Sequence, residues 1–274
     1  MFTKILKFTI AAGLALGLTA CTKDEKKENT SAKVEAKKTV IKVGATPVPH
    51  AEILEVIKPL LKKKGYDLQI VEFTDYVTPN IAVDEDELDA NFFQHTPYLT
   101  EFNSNKNTNL VKTVGVHLEP MGLYSKKIKS LDELEDGATI AVPNDPTNES
   151  RALDILEKQG LMKFKELALK TALDVIENPK NIQLKELDAP QLPRVLDEVD
   201  AAIINTNYAL SADLNPTEDA IVIESKDSPY VNIVAVKKGN ENKDYIKALD
   251  AALNSDEVKQ FIIEKYKGSI VPAF

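Results

Sequence analysis

The chain has 274 residues, of which 43% are hydrophobic and 28% are charged, and these values are ordinary for a globular protein. They exclude a collagen-like chain, a wholly disordered chain and a protein with many membrane spans. Acidic residues outnumber basic ones by 43 to 34, which gives a net charge of −9. Because nucleic acid is polyanionic, this charge argues against a nucleic-acid partner. The single cysteine, Cys21, excludes an internal disulfide and any cysteine-rich metal site.

The first segment, residues 1–20, has the pattern of a secretory signal peptide. Two lysines precede an uncharged, mostly apolar run of 13 residues, 8–20. This run is shorter than the roughly 20 residues that a membrane-spanning helix requires. The sequence Leu18-Thr19-Ala20-Cys21 is typical of a bacterial lipobox, with small residues before a cysteine. We therefore expect lipid on Cys21. The alternative is an ordinary cleavage site followed by a free cysteine.

Residues 21–38 begin with that cysteine and continue with six lysines, four acidic residues and no aromatic residue. A segment of this composition buries too little apolar surface to offset the entropy lost on ordering. We expect a flexible tether between the lipid and a folded body that begins at Thr39. The lipid would hold the body at a membrane surface, facing the periplasm or the cell exterior.

The body alternates short β-branched runs with segments of helical period, which indicates an α/β fold. Strands are predicted at 40–44, 68–73, 88–93, 109–116, 120–125, 139–142, 181–187, 201–204, 220–223 and 231–237. Helices are predicted at 53–64, 81–87, 131–134 and 243–266, with one opening at Thr96 as its cap. Another is predicted to end near Gly160 after a cap at Asp145, Thr147 or Asn148. Pro59 is expected to kink the first helix.

Arg151 lies in the first turns of the helix that follows this group of possible caps. The positive end of the helix dipole disfavours a cation there, so the guanidinium requires an anion. Together with free backbone N–H groups, a guanidinium makes a bidentate receptor for a carboxylate. The alternative is that Arg151 pairs with Glu149, Asp154 or a more distant acid.

A second cluster of candidate residues follows the strand that ends near Phe93. Phe92 and Phe93 lead to His95 and Tyr98, and Tyr76 comes just past the end of the preceding strand. Ligands of open α/β sheets bind beyond the carboxyl ends of strands, so these side chains could form an apolar slot. Alternation lets only one phenylalanine face the lobe core, and we assign Phe92 to it. His95 is alternatively a hydrogen-bonded neighbour of the core.

Polar candidates lie at other strand ends. Asn205 follows the buried strand 201–204, and its amide can accept from an ammonium and donate to a carboxylate, which suits a zwitterion. Asn232 lies near the start of a late strand, and Glu119 lies in a connection beside Pro120. The alternatives are that the asparagines shape turns and that Glu119 is solvated.

The sequence contains no P-loop, no glycine-rich dinucleotide fingerprint and no nucleophile elbow. The histidines His50, His95 and His117 do not form a local metal-binding motif. The acidic run 84–87 lacks the alternating ligand spacing of an EF-hand loop. We therefore expect neither catalysis nor a cofactor or metal.

Four segments carry a resemblance to a known family: 44–50 (GATPVPH), 88–95 (LDANFFQH), 143–151 (PNDPTNESR) and 201–208 (AAIINTNY). Together, in this order, they resemble the methionine-binding lipoproteins of the NlpA family over essentially the whole body. The resemblance implies a bilobed periplasmic-binding-protein fold, in which two crossover strands join two α/β lobes.

The resemblance also implies a function. The protein would capture L-methionine between its lobes and deliver it to the permease and ATPase of an ABC importer. D-methionine, a methionine-containing dipeptide or another amino acid are alternative ligands. An extracytoplasmic enzyme on the same scaffold and a surface interaction protein are alternative functions.

The resemblance further implies a role for each candidate side chain. The residues around the apolar thioether chain would be Tyr76, Phe93 and Tyr98, with His95 beside them. The residue that holds the ligand carboxylate would be Arg151. The remaining polar contacts would come from Asn205 and Asn232, with Glu119 and Asn148 as weaker candidates. The lobes would comprise 39–120 with 231–274, and 121–230, in a protein that we expect to be a monomer.

Overall fold

The computed structural model describes residues 39–225 and 227–274. The predicted signal peptide, the lipidation site at Cys21 and the tether lie outside the described residues. Within the described part, strands and helices alternate in a mixed α/β fold with two main sheets. Every helix in that part is too short or too polar to serve as a membrane span.

The strands, in chain order, are β1 (Thr39–Ala45), β2 (Tyr66–Glu72), β3 (Ala90–His95), β4 (Leu110–Leu118), β5 (Gly122–Tyr124), β6 (Thr139–Pro143), β7 (Lys163–Phe164), β8 (Val175–Glu177), β9 (Gln183–Leu187), β10 (Ala201–Ile204), β11 (Val222–Ile223), β12 (Val231–Lys237) and β13 (Val271–Pro272). The helices are α1 (Glu52–Lys63), α2 (Thr78–Asp84), α3 (Thr96–Lys106), α4 (Pro146–Lys158), α5 (Thr206–Ser211), α6 (Pro216–Asp219), α7 (Asp244–Leu253) and α8 (Asp256–Tyr266). Short helical turns occupy Pro47–Ala51, Leu131–Glu133, Ala172–Asp174 and Ala189–Val195.

The first sheet has six strands in the order β13-β4-β12-β3-β1-β2. The strands β1, β2 and β3 run parallel, and β12 is antiparallel to both of its neighbours, β3 and β4. The core residues Leu54, Leu249 and Ile262 bring α1, α7 and α8 together on one side of this sheet. On the other side, Val83 of α2 and Leu99 of α3 are buried. The sheet is therefore mixed, and both of its faces are covered by helices.

The second sheet has five strands in the order β11-β5-β10-β6-β9. Its central strand β10 runs parallel to β6 and antiparallel to β5. Alternate residues of β10 face two different cores: Ile203 packs with Leu153 of α4, whereas Ile204 packs with Leu192 and Ala209. Burial on both faces accounts for the continuously apolar sequence of β10, and it agrees with the prediction of a buried strand at 201–204.

The chain passes from the first sheet to the second between Leu118 and Gly122, and it returns between Ile223 and Val231. The first sheet therefore takes its strands from 39–118 and 231–272, and the second from 122–223. The predicted lobe limits at 120 and 230 fall between these two sets of strands and stay a prediction.

Several helix boundaries differ from the sequence prediction. The helix α1 begins at Glu52 and ends at Lys63, each within one residue of the predicted limit, and the kink predicted at Pro59 stays a prediction. The helix α2 begins at Thr78 instead of Ile81, because the Asp75 carboxylate accepts the backbone N–H groups at the start of the helix, including that of Thr78 at 2.7 Å. The predicted tail helix is two helices, since Ser255 caps a new one by accepting the N–H of Val258.

Some short elements were not predicted from the sequence. They are the paired strands β7 and β8, the edge strand β13 and the helices α5 and α6. The helix α5 begins directly after Asn205, so part of the segment taken as a strand-end loop is helical. The acidic run 84–87 closes α2 at the surface, where Asp86 pairs with Lys237 at 2.6 Å.

Candidate functional site

A cavity lies between the two sheets, and its lining combines aromatic rings with a few convergent polar groups, as small-molecule sites do. All nine predicted site residues line this cavity: Tyr76, Phe93, His95, Tyr98, Glu119, Asn148, Arg151, Asn205 and Asn232. Three further residues, which the sequence analysis did not select, complete the lining: Gln94, Thr206 and Asn207. The roles of these residues as ligand contacts stay predictions.

Strand ends bring the lining residues together. In the first lobe, His95 ends β3, Glu119 follows β4, and Asn232 at the start of β12 pairs with both His95 and His117 in register. In the second lobe, Asn205 follows β10 directly. The cavity therefore lies beyond the carboxyl ends of parallel strands from both sheets, where ligands of open α/β sheets bind.

Three aromatic rings form one wall of the cavity. Tyr76 stacks on Phe93 with ring centroids 5.8 Å apart, and both rings meet the edge of Tyr98 at about 6 Å. Phe92 points the other way and is fully buried in the first lobe's core. The assignment of Phe92 to the core and of Phe93 to the cleft side is therefore confirmed. The Tyr76 hydroxyl donates to Asn207 Oδ1 at 2.6 Å, which joins this wall to the second lobe.

The N-terminus of α4 is fixed by Asp145, one of the three caps that the sequence allowed. Its carboxylate accepts the backbone N–H of Asn148 at 3.0 Å and also the Asn148 side-chain amide. The amide oxygen of Asn148 therefore points away from the cap. It accepts from Asn205 Nδ2 at 2.9 Å and from His95 Nε2 at 3.2 Å.

His95 is held as a neutral imidazole. Its Nε2 donates to Asn148 Oδ1, which can only accept, and its Nδ1 accepts the backbone N–H of Tyr98 at 3.2 Å. His95 rather than Thr96 is thus the cap of α3, which corrects the prediction. Burial, together with the nearby positive charge of Arg151, lowers the pKa of His95 to about 3.

Arg151 is buried, with 3% of its surface exposed. Its Nε donates to both carboxylate oxygens of Glu224, at 3.1 and 3.2 Å, and its Nη2 donates to the Glu119 carbonyl at 2.7 Å. The ring of Tyr230 lies 4.3 Å from the guanidinium carbon. Within the described residues, Nη1 has no hydrogen-bond partner.

The alternative interpretation of Arg151 is therefore confirmed in one form: Arg151 pairs with a distant acid, Glu224, although the pair is buried and not at the surface. Arg151 also lines the cavity, and its role as a carboxylate receptor stays a prediction. Glu224 lies 73 residues away in the sequence, in the segment that returns to the first lobe. No local spacing could have indicated this pair, and Tyr230 was missed for the same reason.

Two polar atoms on residues that line the cavity together with Arg151 have no hydrogen-bond partner among the described residues. They are Asn205 Oδ1, an acceptor, and Asn207 Nδ2, a donor, and both are buried. An unsatisfied buried polar atom costs about 1–3 kcal/mol. Because both residues line the cavity, a ligand with one donor group and one acceptor group could satisfy both atoms.

Within the described residues, one group of side chains has the makeup of a metal site: His50, His117 and Glu119. By residue type these three could hold a divalent cation such as zinc. In the structure they are bonded to one another, since Glu119 Oε1 lies 2.7 Å from His117 Nε2 and 3.2 Å from His50 Nε2. His50 is further fixed by Asn232 at 2.9 Å and by Thr46 at 2.6 Å.

Burial dominates the proton equilibria of this group. It lowers the pKa of His50 to about 4 and that of His117 to about 3. It raises the pKa of the Glu119 carboxyl, and the charges of His50 and Arg151 act in the opposite direction. Neutral His117 donates from Nε2 to Glu119 Oε1, and neutral His50 donates from Nε2 to Asn232 Oδ1 and lies 3.2 Å from the same Glu119 oxygen. The cluster adjoins the cavity, since Glu119 belongs to both and the cavity-lining Asn232 bonds to His50.

Two α/β lobes that enclose a polar and aromatic cavity define a two-lobed substrate-binding protein. The NlpA lipoprotein family model matches residues 41–274, and the chain belongs to this family. The resemblance inferred from four sequence segments is thereby confirmed.

Individual relatives match over nearly their full lengths. "Outer membrane lipoprotein 3" of Mannheimia haemolytica is 44% identical over 98% of both chains. The "D-methionine-binding lipoprotein MetQ" of Escherichia coli K12 is 43% identical over 94% of this chain and 93% of its own. Among solved structures, a nutrient binding protein from Burkholderia cenocepacia bound to methionine has a TM-score of 0.84 and 48% identity. That match covers 85% of this chain and 100% of the other.

We expect mild acid to destabilise the protein through His95. The pKa of His95 is about 3 when folded and about 6.5 when unfolded, so the unfolded state gains a proton first as the pH falls. Between pH 7 and pH 5, this one group should lower the free energy of unfolding by about 2 kcal/mol. Urea unfolding of ligand-free wild type and His95→Gln measures this. The free energy of unfolding of wild type, relative to that of His95→Gln, should fall by about 2 kcal/mol between pH 7 and pH 5. A difference that does not change with pH would contradict the prediction.

Proposed function

We propose that the protein is a lipid-anchored receptor that binds methionine in the interlobe cavity and delivers it to an ABC importer. The ligand predicted from the sequence is L-methionine. The relatives named for D-methionine support the opposite enantiomer as an alternative ligand. The observation that carries the proposal is the pair of unsatisfied amide atoms on residues that line the same cavity as Arg151.

The polar end of a free amino acid matches these atoms. Its ammonium would donate to Asn205 Oδ1, and its carboxylate would accept from Asn207 Nδ2 and from Arg151 Nη1. Hydrogen bonds to charged groups contribute about 1.5–3 kcal/mol each. Closure of the lobes excludes water and so strengthens these contacts. Recognition of the zwitterion therefore supplies much of the affinity.

The apolar end of methionine matches the aromatic wall. Burial of a methionine side chain contributes about 1.5–3 kcal/mol. Contacts between its sulfur and aromatic rings add about 0.3–1.5 kcal/mol. Phe93, Tyr76 and Tyr98 present ring faces and edges to this part of the cavity. A charged or strongly polar side chain would lose its hydration there without compensation.

The rest of the proposal concerns the setting in which the receptor works. Lipid on Cys21 would anchor it outside the cytoplasm, and the names of its lipoprotein relatives support this. Its partners would be the importer's permease and ATPase, and it would act as a monomer without catalysis. Methionine recovered chemically unchanged after long incubation would support a receptor over an enzyme on the same scaffold.

Calorimetric titration tests the proposed ligand. Protein lacking residues 1–38 is unfolded and refolded to remove copurified ligand, and is then titrated with L-methionine, D-methionine, methionine dipeptides and other amino acids. We expect saturable binding of methionine. No heat and no thermal shift with either enantiomer or its dipeptides would contradict the proposal.

Asn205→Ala is the matching variant test. It removes the predicted ammonium acceptor and should weaken methionine binding by roughly 10- to 100-fold, the loss of one hydrogen bond to a charged group. Asn105→Ala is the control, because Asn105 is exposed on α3 and bonds only to Glu101 among the described residues. Equal affinity in both variants would remove Asn205 from the proposed site.

Substitution of Cys21 tests the proposed lipid anchor. We expect Cys21→Ser to abolish incorporation of labelled fatty acid and to shift the protein from the membrane fraction to the soluble fraction, because a serine hydroxyl does not replace the acylated thiol. Methionine binding by the folded body should not change. Retention of the variant in washed membranes would contradict anchoring through Cys21.

A further inference from the structure

Arg151 is the only lysine or arginine among the twelve described residues that line the cavity. Its charge is already compensated, because the Glu224 carboxylate accepts from Nε through both oxygens and also contacts Nη2. Both side chains are buried, with 4% and 7% of their surfaces exposed. The low-dielectric surroundings therefore make the pair act electrostatically as one nearly neutral unit.

The cavity offers no second cation. The His95 imidazole is neutral at pH 7, because its pKa is about 3. The other lining residues are aromatic, amide or hydroxyl side chains, apart from the acid Glu119. A ligand with net negative charge would therefore enter a site with no uncompensated positive charge, and burial of an uncompensated charge is strongly unfavourable.

We propose that Glu224 determines ligand charge: by neutralising Arg151, it restricts the cavity to zwitterions that carry a free ammonium and excludes anions of the same shape. This inference rests on the proposed function. In the proposed bound state the ligand carboxylate faces Arg151 while the ligand ammonium faces Asn205 Oδ1, so binding adds no net charge to the cavity. Removal of Glu224's charge would leave Arg151 to attract a bare anion.

Glu224 also links two segments of the chain through a hydrogen bond, and the test must separate this structural role from the effect of its charge. Its Oε2 accepts the backbone N–H of Met121 at 3.2 Å, so it joins the outgoing and returning connections between the lobes. Glu224→Gln removes the charge and keeps the size, whereas Glu224→Asp keeps the charge and shortens the side chain. Asp154→Asn is the control, since Asp154 lies one turn along α4, pairs with Lys170 at 2.6 Å and does not line the cavity.

The experiment compares two ligands in each variant: methionine and its α-hydroxy analogue, in which a hydroxyl replaces the ammonium. The hydroxyl can still donate to Asn205 Oδ1, so the analogue differs mainly in net charge. We expect wild type, Glu224→Asp and Asp154→Asn to prefer methionine by roughly 100-fold or more, because of the cost of a buried uncompensated charge. Glu224→Gln should narrow this ratio by roughly tenfold or more.

The outcomes separate the two proposals. Wild type that binds neither methionine enantiomer overturns the proposed function. If wild type binds methionine and its hydroxy analogue with affinities within tenfold of each other, only the charge-selection inference is overturned. This measurement uses wild type alone, so it does not depend on whether Glu224→Gln folds. The inference is also overturned if folded Glu224→Gln shows the same affinity ratio for the two ligands as wild type, or if Glu224→Asp reduces that ratio as much as Glu224→Gln does. In either case ligand preference would not depend on the charge of residue 224.

Discussion

The compensation of one buried cation organises the region between the lobes. Arg151 projects from the start of α4, where the helix dipole opposes a positive charge. Its partners are the Glu119 carbonyl, the Glu224 carboxylate and the Tyr230 ring. All three lie in the two segments that connect the sheets. A helix of the second lobe is thus tied to both connections through a single side chain, and loss of either charge would leave the other buried without a partner.

Around this pair, the polar groups mostly satisfy one another. Asp145 fixes Asn148, and Asn148 in turn fixes His95 and Asn205. Within the described part of the chain, few hydrogen-bonding atoms of this shell remain free. Under the proposed function these atoms would define the ligand: Asn205 Oδ1 would accept from it, and Asn207 Nδ2 and the Arg151 guanidinium would donate to it. Such preorganisation limits the entropy that is lost when a small molecule binds.

Much of this site could be predicted from the sequence because strand ends and caps leave local signals. Phe93 and His95 follow from the alternation of β3, and Asn205 follows from a continuous apolar run. The family resemblance then assembled residues from both lobes into one site. Asn207, Glu224 and Tyr230 could not be found in this way, since their importance depends on contacts between distant segments. The cap at His95 was missed because a threonine beside a proline gives a stronger local signal than a histidine side chain.

The position of β12 has a consequence for the order of folding. This strand lies between β3 and β4 in the first sheet, yet it is made after the entire second sheet. Until it is made, β4 has no hydrogen-bonded link to β1, β2 and β3. The second lobe is continuous in sequence, so it can acquire all of its strands while the first lobe still lacks its centre. In the order of synthesis, the half that carries Arg151 can therefore fold first, and the aromatic half closes its sheet only when the C-terminal segment follows.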